Sequence, residues 1–316
     1  MMSKKTPVIT VGVDVSKETV DVCFIDQEEK PLKEQRYTRD KYPALVKNLA
    51  KCKPAVIVME ATGGYEKELA IALANKKLPF RIVNPTRVRK FADAIGKLCK
   101  TDKVDALVLA LYAKRNQIEP AEVPDESQYF LRELVERRRQ LVSMRATEKT
   151  RLQMTSNPTA RESIDAVIRH LDKQLKDIDH ELDRFVDSNE QLREKEELLS
   201  SIPGVGSVTA RSMLSRMPEL GRLNRRSVAA LAGVAPYERQ SGQFRGRSMI
   251  FGGRKEVRNA LYMATLSAKK HNPAIRDFYQ RLIAMGKKAK VALTACMRKL
   301  LLQMNAVLKE KKTFYV

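Results

Sequence analysis

The chain has 316 residues, 60 Lys and Arg against 38 Asp and Glu, and a formal net charge of +22. It is long enough for two domains with cores of their own. It contains no run of 18 apolar residues that would predict a membrane span. Its four cysteines (Cys23, Cys52, Cys99, Cys296) form no Cys-x-x-Cys pair, and its three histidines (His170, His180, His271) show no ligand spacing. That usage argues against a zinc site or a disulfide framework and fits a reducing, cytoplasmic setting.

The charge is unevenly placed. Residues 1–120 carry 23 basic and 15 acidic side chains, residues 121–200 carry 14 and 18, and residues 201–316 carry 23 and 5. A field of that strength on the last third implies a polyanionic partner, and nucleic acid is the usual one.

In chain order, residues 7–15 and 19–25 alternate like paired strands, with a third near 32–39 after the turn DQEEK. A helix follows at about 42–51, then the buried strand AVIVME ending on Glu60, a helix to about 76 and a short strand FRIVN closed by Pro85. The rest to Lys114 reads as helical. Hairpins followed by alternating strands and helices predict a mixed α/β sheet. The segment QIEPAEVPDES (117–127) reads as a linker. A long charged helix over 128–154 is expected to break at TSNPTARES. The next helix spaces Ile164, Ile168, Leu171, Leu175, Ile178, Leu182 and Phe185 in alternating steps of four and three, the seam of a coiled coil or of one arm in a helical bundle. From Leu198 onward the chain reads as helical and basic. The expected domains are therefore 1–120, 121–197 as a spacer that joins subunits, and 198–316.

Within this plan the acids are informative. In TDKVDALVLALYAKR (101–115), Asp105 is the only charged residue between Val104 and Ala113 of a helix apolar nearly all round. Asp102 and Asp105 lie about 60° apart on one helix face. They suit a helix start, with Asp102 as cap and Asp105 in the first turn. They also suit a pocket shared with two strand-end acids, Asp14 in VGVDVSKE and Glu60 in AVIVME. Four carboxylates without histidine or cysteine are donors for Mg²⁺ or Mn²⁺, and such ions serve in-line displacement at a phosphodiester. Asp14 and Ser16 also resemble the first phosphate loop of actin-like and sugar-kinase ATPases, but among later glycine-rich loops the chain offers only ATGGYE.

In the basic third, SIPGVGSVTARSMLSRM (201–217) predicts a helix-hairpin-helix. Its Gly204 and Gly206 would turn backbone N–H groups toward a phosphate, or simply join two packed helices. Farther on, Ser241-Gly242 lies in a polar loop with Arg239, Arg245 and Arg247, followed by Arg254. Arginines there suit a transferring phosphoryl group, although a serine beside glycine is ordinarily a turn residue. In the final helices Lys287, Lys288, Lys290, Arg298 and Lys299 are expected at phosphates, and Val291, Leu293 or Thr294, and Met297 in the core.

The order Asp14, MEATGGYE, KTDKVDA, SIPGVGSVTA, LAGVAPYERQSG, RNALYMA resembles the DEDD insertion-sequence transposases related to the Piv and MooV recombinases, the insertion-sequence family numbered one hundred and ten. The resemblance covers nearly the whole chain. It implies a RuvC-like N-terminal domain of RNase H fold, whose Asp14, Glu60, Asp102 and Asp105 bind divalent metal, and a C-terminal transposase domain. It implies that Ser241 attacks a DNA phosphate to give a covalent phosphoserine link. It further implies homodimers or homotetramers, donor and target DNA as substrates, and an element-encoded guide RNA. Relatives usually read Ile-Ser-Lys where this chain has Met249, Ile250 and Phe251, so no polar DNA contact carries over to that stretch. Two other classes stay open on the residues alone: a RuvC-like metal-dependent junction-resolving nuclease in which Ser241 only shapes a loop, and a non-catalytic nucleic-acid-binding protein.

Overall fold

The computed structural model describes residues 9–97, 102–120, 126–238, 240–241, 244–245 and 249–314. The chain divides into two compact units, Met1–Glu126 and Ser127–Val316.

The first unit is built on a five-stranded sheet. Strands β1 (Thr10–Val15), β2 (Thr19–Ile25) and β3 (Pro31–Thr38) form antiparallel hairpins. Strands β4 (Val56–Glu60) and β5 (Phe80–Val83) add in parallel, in the order β3-β2-β1-β4-β5. That order, with its switch from antiparallel to parallel pairing, is the mixed α/β sheet that hairpins followed by alternating strands and helices predict. Strand alternation sorts the side chains. Val11, Val13, Val15, Ile57 and Met59 enter one core with helices α1 (Tyr42–Cys52) and α2 (Glu66–Asn75). The opposite face, with Val56, Val58, Cys23 and Ile25, is covered by α4 (Asp102–Arg115). Helix α3 (Pro85–Ala94) packs beside α4, where Phe91 meets Tyr112 edge-on at 5.4 Å between ring centroids.

Helix α4 is sequestered on nearly every side. Ala106, Val108, Leu109, Ala110, Leu111, Tyr112 and Ala113 are all buried. It approaches the sheet at Gly12, where a Cβ would lie 2.0 Å from the Ala106 carbonyl oxygen and 2.4 Å from the Ala110 nitrogen. Only a residue without a side chain lets helix backbone lie directly on β1.

The second unit is helical. Helices α5 (Glu126–Met154) and α6 (Pro158–Asp187) form an antiparallel hairpin, pinned by Arg138–Asp179 at 2.6 Å and Arg145–Asp172 at 2.7 Å. The middle of the predicted seam packs within the chain: Leu171, Leu175 and Ile178 lie on Leu141 and Val142 of α5. The break covers only residues 155–157, because Asn157 accepts a hydrogen bond from the Ala160 N–H and Pro158 occupies the first helical turn. Asn-Pro is here a helix start, so Thr159 to Ser163, expected in the break, are helical.

The hairpin's base is not a separate spacer. Leu131, Val135, Leu182 and Val186 share one core with α7 (Glu190–Ser200), α8 (Ser207–Arg216), α9 (Arg225–Leu231), α10 (Lys255–His271), α11 (Pro273–Ala284) and α12 (Ala289–Glu310). Short ladders β6 (Pro236–Tyr237) with β9 (Met249–Ile250), and β7 (Gln240–Ser241) with β8 (Phe244–Arg245), lie between α9 and α10. By length and composition α12 could cross a membrane. In this fold it is a core helix that buries Leu293, Cys296, Met297, Leu300, Leu301 and Met304. Val291, expected in that core, is exposed instead, because the packed face runs through Ala292, Leu293, Cys296 and Met297 and Val291 lies beside it.

Two expectations follow. Gly12→Val should destabilise the first unit by about 3 kcal/mol or more, since the clash is with backbone; thermal unfolding of the two units reads this out. In the second unit, Glu136 of α5 accepts from Arg139 and, at 2.6 Å, from Arg216 of α8. These bonds, the Arg139 bond foremost, outweigh burial and hold its carboxyl down at about 2. A depressed carboxylate stabilises the fold above its unfolded value near 4.5 and loses that contribution as pH falls toward 2. Glu136→Gln should therefore cost stability at neutral pH, and the gap to the wild type should close between pH 4.5 and 2 in urea titrations.

Candidate active site

Asp14 and Glu60 come together through strand register. β1 pairs in parallel with β4 up to Val13 opposite Met59, and Asp14 and Glu60 are the next residue on each strand. Both are half-buried. By alternation Asp14 falls on the side of Gly12, and Glu60 on the side of Val56 and Val58, which is the face that α4 covers.

The direction of α4 brings its acids to the same end. Its last turn is tied to the far end of the sheet: Lys114 Nζ donates to the Asp26 carbonyl at 2.7 Å, and Arg115 forms a bidentate pair with Glu29. Asp26 follows Ile25, the partner of Thr10 at the start of β1. The helix thus runs antiparallel to β1, and its first turn, with Asp102 and Asp105, lies toward the Asp14 end. Asp105 directly precedes Ala106, whose carbonyl faces Gly12, and is half-buried. Asp102 opens the helix, but its side chain lies outside the described ones.

A fifth acid was not singled out in the sequence. Asp21 is opposite Asp14 in the β1–β2 ladder, and Arg36 is opposite Asp21 in the next. Asp21 is 4% exposed, and its carboxylate lies 3.1 Å from Arg36 Nε. Like charges directly opposite are unfavourable in a sheet, and Arg36 offsets one of them. Alternation in TVDVCFI was the available signal, since it puts Asp21 on the face of Cys23 and Ile25. Cys23 on that face is a buried thiol, pushed up to about 12 by burial and, to a lesser degree, by Glu34.

The loop after Glu60 is organised by Glu66, a second residue not singled out. Its carboxylate accepts from the Thr62 N–H (3.1 Å), the Thr62 hydroxyl (3.2 Å) and the Gly64 N–H (2.9 Å). Gly63 and Gly64 have φ of +75° and +120°, which side chains rarely adopt. The motif ATGGYE is thus a self-bonded turn beside the Glu60 strand end.

Among the described side chains no group of three or more His, Cys, Asp or Glu is arranged to hold a metal ion. The donor set itself, carboxylates drawn to one end of one sheet face, suits a hard divalent cation.

In the second unit Ser241 lies in β7, paired with Phe244; the side chains of Ser241 and Arg245 are outside the described ones, as are Arg239, Gly242 and Arg247 altogether. Gly204 has φ +95°, and a Cβ there would lie 2.4 Å from Ala268 Cα, so its role is helix packing. Gly206 caps α8 with open space before it. Arg254 is committed to Glu219 (2.7 and 2.8 Å) and the Arg216 carbonyl (2.6 Å). Lys299 donates to the Ala274 carbonyl at 2.9 Å and lies over the Phe278 ring. Lys287, Lys288 and Lys290 are exposed and Arg298 is half-buried. His170, His180 and His271 are exposed, and Cys23, Cys52 and Cys296 are free thiols; Cys99 is outside the described residues.

A mixed sheet with acids at its strand ends beneath a buried helix, and a strongly basic helical unit, suit the class of enzymes that act on nucleic acid. Comparison with known proteins gives the family. A transposase model for DEDD enzymes of the IS110 group matches residues 11–155, and one described as "Transposase IS116/IS110/IS902 family" matches residues 196–280. The chain belongs to the IS110 family of DEDD transposases and recombinases. It is 28% identical over 314 residues to the pilin gene-inverting protein of Moraxella bovis, covering 96% of this chain and 97% of that one. It is 24% identical to the transposase of insertion sequence element IS1111A from Coxiella burnetii, over 73% of this chain and 70% of the other. Among solved structures, RuvC of T. thermophilus with a Holliday junction substrate matches at 15% identity and a TM-score of 0.30, over 36% of this chain and 99% of RuvC.

Replacing Glu66 by Leu should cost about 2 kcal/mol, because two backbone N–H groups and a hydroxyl lose a charged acceptor. Glu66→Gln should retain part of that, and denaturant unfolding of the two variants separates the cases.

Proposed function

We propose that the chain is an insertion-sequence recombinase that cuts and rejoins DNA strands through a four-carboxylate metal site and a serine nucleophile. The observation that carries the reading is the register match of Asp14 with Glu60 beneath the antiparallel first turn of α4. Asp14, Glu60, Asp102 and Asp105 would hold Mg²⁺ or Mn²⁺. When bound, such ions stabilise charge on a scissile phosphate and its leaving oxygen.

The chain's own residues supply the rest. Asp21, tied to Arg36, keeps the floor of the site acidic without leaving two carboxylates face to face unbalanced. Ser241 Oγ forms a bond to phosphorus as the bond from phosphorus to a deoxyribose oxygen breaks. The serine gives up its proton and the departing oxygen takes one. The phosphodiester's bonding is conserved in the phosphoserine link, and attack by a second strand's hydroxyl restores the serine. The excess of basic over acidic residues beyond Leu198 holds donor and target DNA together with a guide RNA encoded by the element. Exposed Lys287, Lys288 and Lys290 are the phosphate contacts best placed for this, whereas Arg254 and Lys299 act within the fold. The hairpin of α5 and α6 joins subunits in a homodimer or homotetramer, in the cytoplasm.

Incubation with DNA, the element's RNA and Mg²⁺ tests the reading. A denaturation-resistant protein–DNA adduct is expected, absent in Ser241→Ala, and its rate should fall at least about a thousandfold in Asp105→Asn. Free 5′-phosphate ends with no adduct would favour a junction-resolving nuclease instead.

A further inference from the structure

The two-stranded ribbon of β6 and β9 presents apolar side chains to solvent. Tyr237 stands opposite Met249, and the two are 47% and 63% exposed. Phe251, the residue that follows β9, is 70% exposed. Large apolar side chains grouped this way mark a contact surface.

The ribbon's base is rigid. Gly233 and Gly253 approach so closely that a Cβ on Gly253 would lie 2.2 Å from the Gly233 nitrogen. Arg258 donates to the Gly252 carbonyl at 2.7 Å and to the Gly233 carbonyl at 3.4 Å, and the Arg254 N–H bonds the Leu231 carbonyl at 2.9 Å. A platform held this firmly loses little conformational entropy on binding.

Charge selects the occupant. From Arg222 to Arg258 the chain carries nine basic residues and two acidic ones, Glu238 and Glu256. Arg225, Arg226 and Lys255, at the starts of the two helices that flank the ribbon, are exposed. A second copy of so basic a segment would be repelled, whereas a nucleic-acid strand is attracted by the charge and has flat apolar faces for the rings.

We propose that Tyr237, Met249 and Phe251 form a stacking platform for unpaired bases of a DNA strand at the recombination junction. Phe251 is the ring against which a base stacks, Tyr237 and Met249 extend the apolar floor, and Arg225, Arg226 and Lys255 meet the phosphates. The choice of DNA rests on the recombinase reading, but the surface needs neither the metal nor Ser241.

The chain has no tryptophan, so Phe251→Trp introduces a single reporter. In the full chain carrying Ser241→Ala, with EDTA present, its emission should be quenched by a short single-stranded DNA and much less by the same sequence as duplex. Phe251→Ala and Phe251→Leu should each weaken single-strand binding about tenfold and leave duplex binding within about twofold, with helical circular dichroism unchanged. Tyr237→Leu should weaken it by a smaller factor. Equal weakening on single strand and duplex, or full affinity in Phe251→Leu, would overturn the proposal. So would a loss confined to single-stranded RNA, or a changed oligomeric state with unchanged strand affinity. None of these outcomes bears on adduct formation, so the proposal and the recombinase reading fail separately.

Discussion

The first unit depends on one close contact, helix backbone against strand backbone at Gly12. A side chain there would lift α4 off β1 by the thickness of a methyl group. With glycine in place, Ala106 and Ala110 seat directly on the strand, and the helix buries its apolar surface against β1, β2 and β4. The same contact sets how far the first turn of α4 stands from the strand ends. The spacing of Asp105 from Asp14 is thus a consequence of a missing Cβ two residues away from Asp14.

Asp105 lies in a helix buried nearly all round, where an isolated carboxylate would be costly. The fold answers by position: Asp105 is half-buried, in a turn that lies toward the end of β1 that carries Asp14. Across one rung of the sheet run Arg36, Asp21 and Asp14, with Glu60 at the matching place on β4. So many acids in one place concentrate negative potential, which repels bare phosphate and attracts divalent cations. Most of the excess of positive charge lies in the other unit.

The second unit divides its arginines between two tasks. Arg138, Arg145, Arg211, Arg216 and Arg254 are held by acids within the fold: Arg211 pairs with both Asp183 and Glu196, and Arg254 with Glu219. Arg225, Arg226, Lys287, Lys288 and Lys290 are exposed. Net charge points to nucleic acid but does not say which cations face it. That division depends on which acceptors lie within reach after folding: Glu219 engages Arg254, and the Ala274 carbonyl engages Lys299.

Strand periodicity, the acid placements and the order of motifs were legible in the residues, because alternation and burial are local properties of a chain. They sufficed for the sheet of the first unit, for Asp14 and Glu60 at strand ends, and for the apolar seam of α6. Other features depended on partners distant in sequence. Asp21 becomes notable only opposite Asp14, Gly204 only against Ala268, and the α6 seam only against α5. Asn157-Pro158 carried a helix start in its own chemistry, yet it resembles a break until the Ala160 N–H is seen bonded to the asparagine. By itself the sequence determined which surfaces must be buried and where negative and positive charge concentrate. Only the tertiary structure decided which of those charges meet, because a pairing needs two segments at one place and local pattern does not encode that distance.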